Sequence, residues 1–262
     1  MIPFTATLRS EWTKLLSLRS VRIILSLGVL LSVALTVLVC VVIGEVWDSW
    51  DAEARAAFDA REIPRVGGLI SFFLFLVLGV TAATSEYASG MIRLTLTATP
   101  RRGRVLAAKA LAVAGATSLA GLVSSLVMFL AGQVIFGTYD LPTASLGDSD
   151  VLRVVLGDAL LTPLMPLAGL ALGMALRSTA AAITSALAFV FAPDMVGALL
   201  PDWWQRRVIA YQPGTLSEIV VGGHLPSAPD IGPPVWGAAL GLIAWLAVFL
   251  MAAWVVLERR DA

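Results

Sequence analysis

Charge is what this chain has least of: Lys, Arg, Asp and Glu make up 14% of its 262 residues. A soluble domain carries about a quarter, so a water-facing surface over most of the chain is excluded. Cysteine occurs once, as Cys40, which rules out an internal disulfide and leaves the redox compartment unread. Histidine also occurs once, as His224, so HExxH and any polyhistidine metal site are absent. There is no GxSxG, and Cys40 has no base beside it in sequence, so nucleophilic hydrolysis has no signature here. No Gly-Lys pair occurs anywhere, and with it no GxxxxGK loop to cradle nucleotide phosphates. Neither a catalytic residue nor a metal site is assigned to the chain, and no nucleic-acid partner is expected.

What the chain has instead is apolar length. Hydrophobic residues make up 58% of it, with a mean hydropathy of +0.89. Six runs are long enough to cross a bilayer as helices, at residues 21–43, 66–84, 105–136, 151–176, 180–200 and 235–257. The third is overlong and should tilt or protrude. Membrane barrels need many short alternating segments, whereas these runs are continuous, and helices satisfy their own backbone in lipid. The expected fold is all-α: one polytopic membrane domain over residues 1–262, with six transmembrane helices.

Basic residues set the expected orientation. Arg9, Lys14, Arg19 and Arg22 precede the first run, Arg93, Arg101, Arg102, Arg104 and Lys109 gather after the second, Arg177 follows the fourth, and Arg259 with Arg260 follows the sixth. The other side holds Arg55, Arg61, Arg65, Arg153, Arg206 and Arg207 among many carboxylates. The bias is expected to place both termini in the cytoplasm. Trp47, Trp50, Trp203, Trp204 and Trp236 fall at the outer ends and Trp12 and Trp254 at the inner ones; only Trp245 sits mid-span.

The first run is too long for a signal-peptide core, and VVIGEVW after Cys40 offers no small-x-small cleavage pattern, so the run is expected to stay in the protein. Residues 1–20 can form an interfacial helix with Phe4, Leu8, Trp12, Leu15 and Leu16 on one face, drawn to membrane lipid by Arg9 and Lys14. A plain positive topology anchor is the equal alternative. Between the first two runs an acidic, alanine-rich stretch reads as a solvated loop with a short surface helix ended by Pro64.

The stretch Thr84 to Lys109 stands apart. Glu86 lies where the second run ends, close in sequence to Arg93, Arg101, Arg102 and Arg104, so a carboxylate–guanidinium pair with one of them is expected. Gly90 permits a tight turn, and Pro100 stops whatever precedes it. Ile92, Leu94 and Leu96 alternate with Arg93, Thr95 and Thr97, a strand-like period that leaves the local structure open.

The string EYASGMIRLTLTATPRRGRVLAAK resembles the cytoplasmic loop of permease subunits of type-2 ABC exporters, particularly actinobacterial ones. LRVVLGDAL from Leu152, LAGLALGMALRSTAAAI from Leu167 and LPDWWQRRVIAYQPGTLSEIV from Leu200 resemble that family's later segments, in the same order. The resemblance implies that residues 85–104 form a coupling loop with a short helix. Its ATPase-coupling residues are then Glu86, Gly90, Arg93, Pro100, Arg101 and Arg102. It also implies short outer helices within 201–234, a separate ATPase subunit that carries ATP and Mg, and a second permease copy or sister permease.

Two acidic residues lie inside apolar runs. Asp158 and Asp194 either reach the outer interface, with Arg153 or Arg206 as partner, or line a translocation path. The second possibility keeps a proton- or ion-coupled carrier open, and a membrane assembly factor without transport is the third class. Pro163, Pro166 and Pro193 should kink their spans, while Gly169, Gly173, Ala114 and Gly121 should allow close helix contact.

Overall fold

The structure, a computed structural model, describes residues 3–92, 97, 101–197, 199–222 and 232–259, with backbone alone at 194, 202 and 205. No β-strand occurs among the described residues. Its helices are α1 (Phe4–Ser17), α2 (Arg19–Val46), α3 (Ala52–Ala56), α4 (Gly68–Ala88), α5 (Arg102–Thr138), α6 (Ser149–Leu161), α7 (Leu164–Leu176), α8 (Thr179–Gly197), α9 (Asp202–Arg207), α10 (Pro213–Val221) and α11 (Val235–Arg259). Single 3-10 turns lie at Trp47–Ser49, Ile63–Gly67 and Ile209–Tyr211. Among the described residues, six helical segments are long and apolar enough to cross a membrane, running 19–49, 63–88, 102–138, 149–176, 179–197 and 235–259. The overlong third is a single helix of 37 residues, about 55 Å at 1.5 Å per residue.

Helix α1 starts after Pro3, whose fixed φ suits the position before a first turn, and ends where Leu18 turns extended. The stripe it buries is not its most apolar one. Thr7, Glu11 and Leu15, spaced four apart, face inward, α1 packs on α5, and Trp12 stays exposed. A carboxylate thereby goes into the protein, while Phe4, Leu8 and Leu16 of the apolar side stay half-buried.

The fourth run is two helices rather than one. Pro163 has no N–H to give, α6 stops at Leu161 and α7 starts at Leu164. Thr162 closes the end of α6 by donating from both its N–H and its hydroxyl to the Asp158 carbonyl, at 2.9 and 2.7 Å. Pro193, in contrast, lies inside α8 without ending it.

Helices α4 and α7 form the most extensive packing in the bundle. A Cβ on Gly79 would fall 1.9 Å from the Pro166 carbonyl oxygen, and one on Gly169 2.7 Å from that of Leu76. Such backbone contact is how helices associate without a hydrophobic drive between them. Gly79→Ala is expected to cost about 1–3 kcal/mol by overpacking, read as a lower melting temperature of the detergent-solubilised protein. Gly68→Ala, where a Cβ would meet nothing within 4 Å, is the control and should melt like the parent.

The segment before α11 reaches into the bundle. The Trp245 indole N–H donates to the Tyr211 carbonyl at 2.8 Å, and Trp245 lies ten residues into α11, about 15 Å along its axis. Leu216 of α10 is fully buried against Ala238 and Leu242. That contact explains a tryptophan placed away from both interfaces.

Candidate functional site

Two charge clusters lie at opposite ends of the bundle. At the end that carries α1, Lys109 stands two turns into α5, and its Nζ donates to Glu11 Oε2 at 2.6 Å and to Glu86 Oε1 at 2.8 Å. Lys14 Nζ donates to Glu11 Oε1 at 2.7 Å and reaches Glu86 Oε1 at 3.5 Å. Glu11, Glu86 and Lys109 are 3%, 7% and 5% exposed, so these ions have left water and are held by one another. Glu86 sits in the last turn of α4, where the helix dipole disfavours a negative charge. Its partners, not its own helix, stabilise it there.

The expected pair of Glu86 with a loop arginine is therefore corrected: its cation is Lys109. Arg101 is exposed just before α5, and Arg102 donates instead to the Leu257 carbonyl of α11 at 2.5 Å. Lys109, seven residues deeper, faces α4 and α1 from within the apolar run and is shielded from water. Gly90 has φ +69, and its N–H donates to the Tyr87 carbonyl at 3.2 Å. A Cβ there would meet nothing, so the backbone conformation alone calls for glycine. Arg93 and Pro100 lie outside the described residues, as does His224. Met91, Ile92 and Thr97, the described members of the strand-like stretch, are helical.

The last turns of α4 touch more than α1 and α5. The Arg177 guanidinium lies 5.1 Å from the Tyr87 ring centroid, and Thr179 donates to the Thr84 hydroxyl at 2.7 Å. Glu86 also borders a cavity of about 330 Å³ between α1, α4 and α5.

Burial alone pushes the Glu11 carboxyl up, but Lys109 and then Lys14 outweigh it and hold it below the ordinary carboxylate value. A depressed carboxylate stabilises the docked α1 above the ordinary pKa of 4.5, and that contribution is lost as pH falls through the lowered value. Proteolysis of α1 should accordingly stay flat from neutrality to about pH 4.5 and accelerate below it. Protection that weakens between pH 7 and 5 would contradict this.

At the opposite end Arg65 joins three elements. Its Nε and Nη2 donate to Asp158 at 2.8 and 3.0 Å, its Nη1 and Nη2 donate to Glu218 at 2.9 and 3.1 Å, and its Nη1 also donates to Glu62. All five guanidinium N–H groups are thus engaged, on a turn preceding α4, on α6 and on α10. Asp158 is bound neither to Arg153 nor to Arg206: Arg153 instead donates to the carbonyls of Ile219 and Val220. Beside this cluster Arg61 chelates Asp59 and keeps its carboxyl below the usual range. Asp194 follows Pro193 within α8, and its side chain lies outside the described residues.

Sequence reasoning named Glu86 and Asp158 but not the groups that hold them. In sequence Lys109 stands out as a topology charge, Lys14 as a topology or lipid-facing charge and Arg65 as an outer positive charge, while Glu11 and Glu218 do not stand out. The available signal was position: a lysine inside the third run and an arginine at the mouth of the second are costly unless paired.

Six apolar helices with paired ions at both ends define a multi-pass α-helical membrane protein. The chain belongs to the family described as "Protein of unknown function (DUF2705)", whose model matches residues 61–262. That range takes in Arg65, Glu86, Lys109, Asp158 and Glu218 and leaves out α1. No curated protein matches the chain.

Proposed function

We propose that this chain is the membrane permease subunit of an ATP-driven exporter of the type-2 ABC class. A separate cytoplasmic ATPase, which carries ATP and Mg, drives it through the loop 85–104. Two such subunits, or this one and a sister permease, enclose the path. The α1 end is then cytoplasmic and the Arg65 end external.

The observation that carries the reading is the attachment of the loop's base. Glu86 is tied through Lys109 to α5 and through Lys109 and Lys14 to α1, while Arg102 reaches α11 and Thr84 meets α8. A push on this loop therefore moves several spans together rather than bending one connection. The resemblance of residues 86–109 to the family's coupling loop, and the six-span plan, supply the rest. Chemistry is confined to the partner; this chain changes shape.

Asp158 fits the carrier reading less well, since both its oxygens are engaged by Arg65. The test is Glu86→Ala. Lys109 keeps Glu11 as partner, so the variant should insert and assemble, and the ATPase should hydrolyse ATP without driving efflux. Wild-type efflux from the variant would remove Glu86 from the coupling route. Efflux that survives ATP depletion but collapses with the proton gradient would favour the carrier.

A further inference from the structure

We propose that α1 and the elbow leading into α2 seat on net-anionic phospholipid through charge, and not through an apolar helix face. The observation is how α1 sorts its side chains. Leu15 is buried in the core with side chains of α4, α5 and α7, and Phe4, Leu8 and Leu16 are half-buried. Much of the face that a surface helix gives to acyl chains is therefore spent on protein. What α1 turns outward is Thr5, Arg9, Ser10, Thr13 and Ser17. Trp12, its one exposed large apolar side chain, leans on α5, where a Cβ on Gly115 would fall 3.0 Å from its ring. Such a face belongs among headgroups rather than below them.

The charge on that face is of one sign. Glu11 is the sole carboxylate before Glu45, and it is buried and held by Lys109 and Lys14. Lys14 is thus spent inside the protein. Arg9, Arg19 and Arg22 are exposed, and none of them makes a hydrogen bond or ion pair among the described residues. Leu18 turns extended between α1 and α2. Arg19 is the first residue of a segment long and apolar enough to cross a membrane, and Arg22 lies one turn further in. These two guanidiniums therefore stand at the membrane boundary, beside the exposed side chains of Leu18 and Ile23. Arg9 lies about 14 Å before the elbow along α1, at 1.5 Å per residue. Cations spread that far apart fit several headgroups of a leaflet, not one phosphate in a pocket.

Charge complementarity names the lipid. Phosphatidylglycerol carries a phosphate with nothing to offset it, whereas the ammonium of phosphatidylcholine cancels the same phosphate. A basic side chain beside an anionic surface gains about fivefold in binding. The three together should favour the anionic lipid on the order of a hundredfold at low salt. The inference needs the span that starts at Arg19, but neither the sidedness of the chain nor the partner of its loop.

The full chain alone, in nanodiscs of mixed phosphatidylglycerol and phosphatidylcholine, should be labelled with one or the other lipid carrying a diazirine near its headgroup. Mass spectrometry then maps the labelled peptides. At low salt the glycerol lipid should label residues 4–23 far more than the choline lipid does. Near molar salt, where the screening length falls to about 3 Å, the two should label equally. Arg9→Gln, Arg19→Gln and Arg22→Gln together should also bring them level. Arg9→Gln alone, which spares the charges flanking the span, should lower the ratio about fivefold. Arg9→Lys, Arg19→Lys and Arg22→Lys together keep the charge and should keep the preference; its loss there would contradict a contact made by charge. Equal labelling by the two lipids at low salt would overturn the proposal and leave the arginines to an acidic protein surface. A preference that survives molar salt or the triple glutamine variant would overturn it too, since the contact would then be apolar or elsewhere. Soluble glycerophosphoglycerol that competes as well as the lipid would overturn the membrane assignment. No ATPase is present in the assay, so none of these outcomes touches the coupling role of the loop.

Discussion

Lys109→Ala is expected to destabilise the protein by about 3–5 kcal/mol, the usual cost of removing one partner from a buried ion pair. Two carboxylates, Glu11 and Glu86, share this one buried ammonium. Without it they face each other with only Lys14, about one-third exposed, to offset their repulsion. The reverse deletions are milder, because Lys109 keeps a carboxylate when either Glu11 or Glu86 is lost. The order of melting temperatures should be parent, then Glu11→Ala or Glu86→Ala, then Lys109→Ala. Replacing the whole set together, with Lys109→Met, Glu11→Gln and Glu86→Gln, should recover most of the loss, since exchanging an entire buried ion cluster is often near neutral. Thermal unfolding of the solubilised protein measures all of these. A Lys109→Ala variant as stable as the parent would mean that the cluster is not the joint between α1, α4 and α5.

Arg65→Ala is the second large effect. It leaves Glu62, Asp158 and Glu218 gathered with no cation among them. The cluster is part exposed, with Glu218 at 37% and Arg65 at 17%, so the loss should lie between the surface and buried limits, about 2–4 kcal/mol. Arg65→Lys discriminates charge from geometry. Lysine keeps the charge but offers three donors where five are in use, so it should recover less than half of the loss. Hydrogen exchange should show where the damage lies: α10 and the C-terminal turns of α6 should lose protection, and α1 should not. A lysine variant with parent-like protection in α10 would contradict the reading of Arg65 as a five-bond junction.

How much of this was legible in sequence depended on how local the cause was. The six spans could be read because each is a continuous apolar run that bilayer physics allows in few forms. The joint at Glu86 was half legible. Its carboxylate at the end of α4 stood out, but its partners lie 23 and 72 residues away, beyond the reach of any helical period. The nearby arginines made the nearer pair look preferable, yet one of them serves the end of α11. Asp158 behaved alike, with Arg65 93 residues upstream. The prolines of the fourth run pointed to a kink, and whether a kink becomes a break turned on Thr162, whose hydroxyl closes α6. Trp245 looked misplaced until Tyr211, on a turn that dips beside α11, supplied its acceptor.

The central claim, that a separate ATPase drives this chain through the loop at Glu86, is tested most directly by gentle solubilisation from the native membrane and identification of what copurifies. The account predicts a Walker-motif ATPase, retained by the parent protein and lost or reduced when Arg101 and Arg102 are both replaced by alanine, with the chain still inserted. Recovery of the chain alone, or with partners that hold no nucleotide-binding motif, would contradict it and return Asp158 and Asp194 to the front as the groups to test.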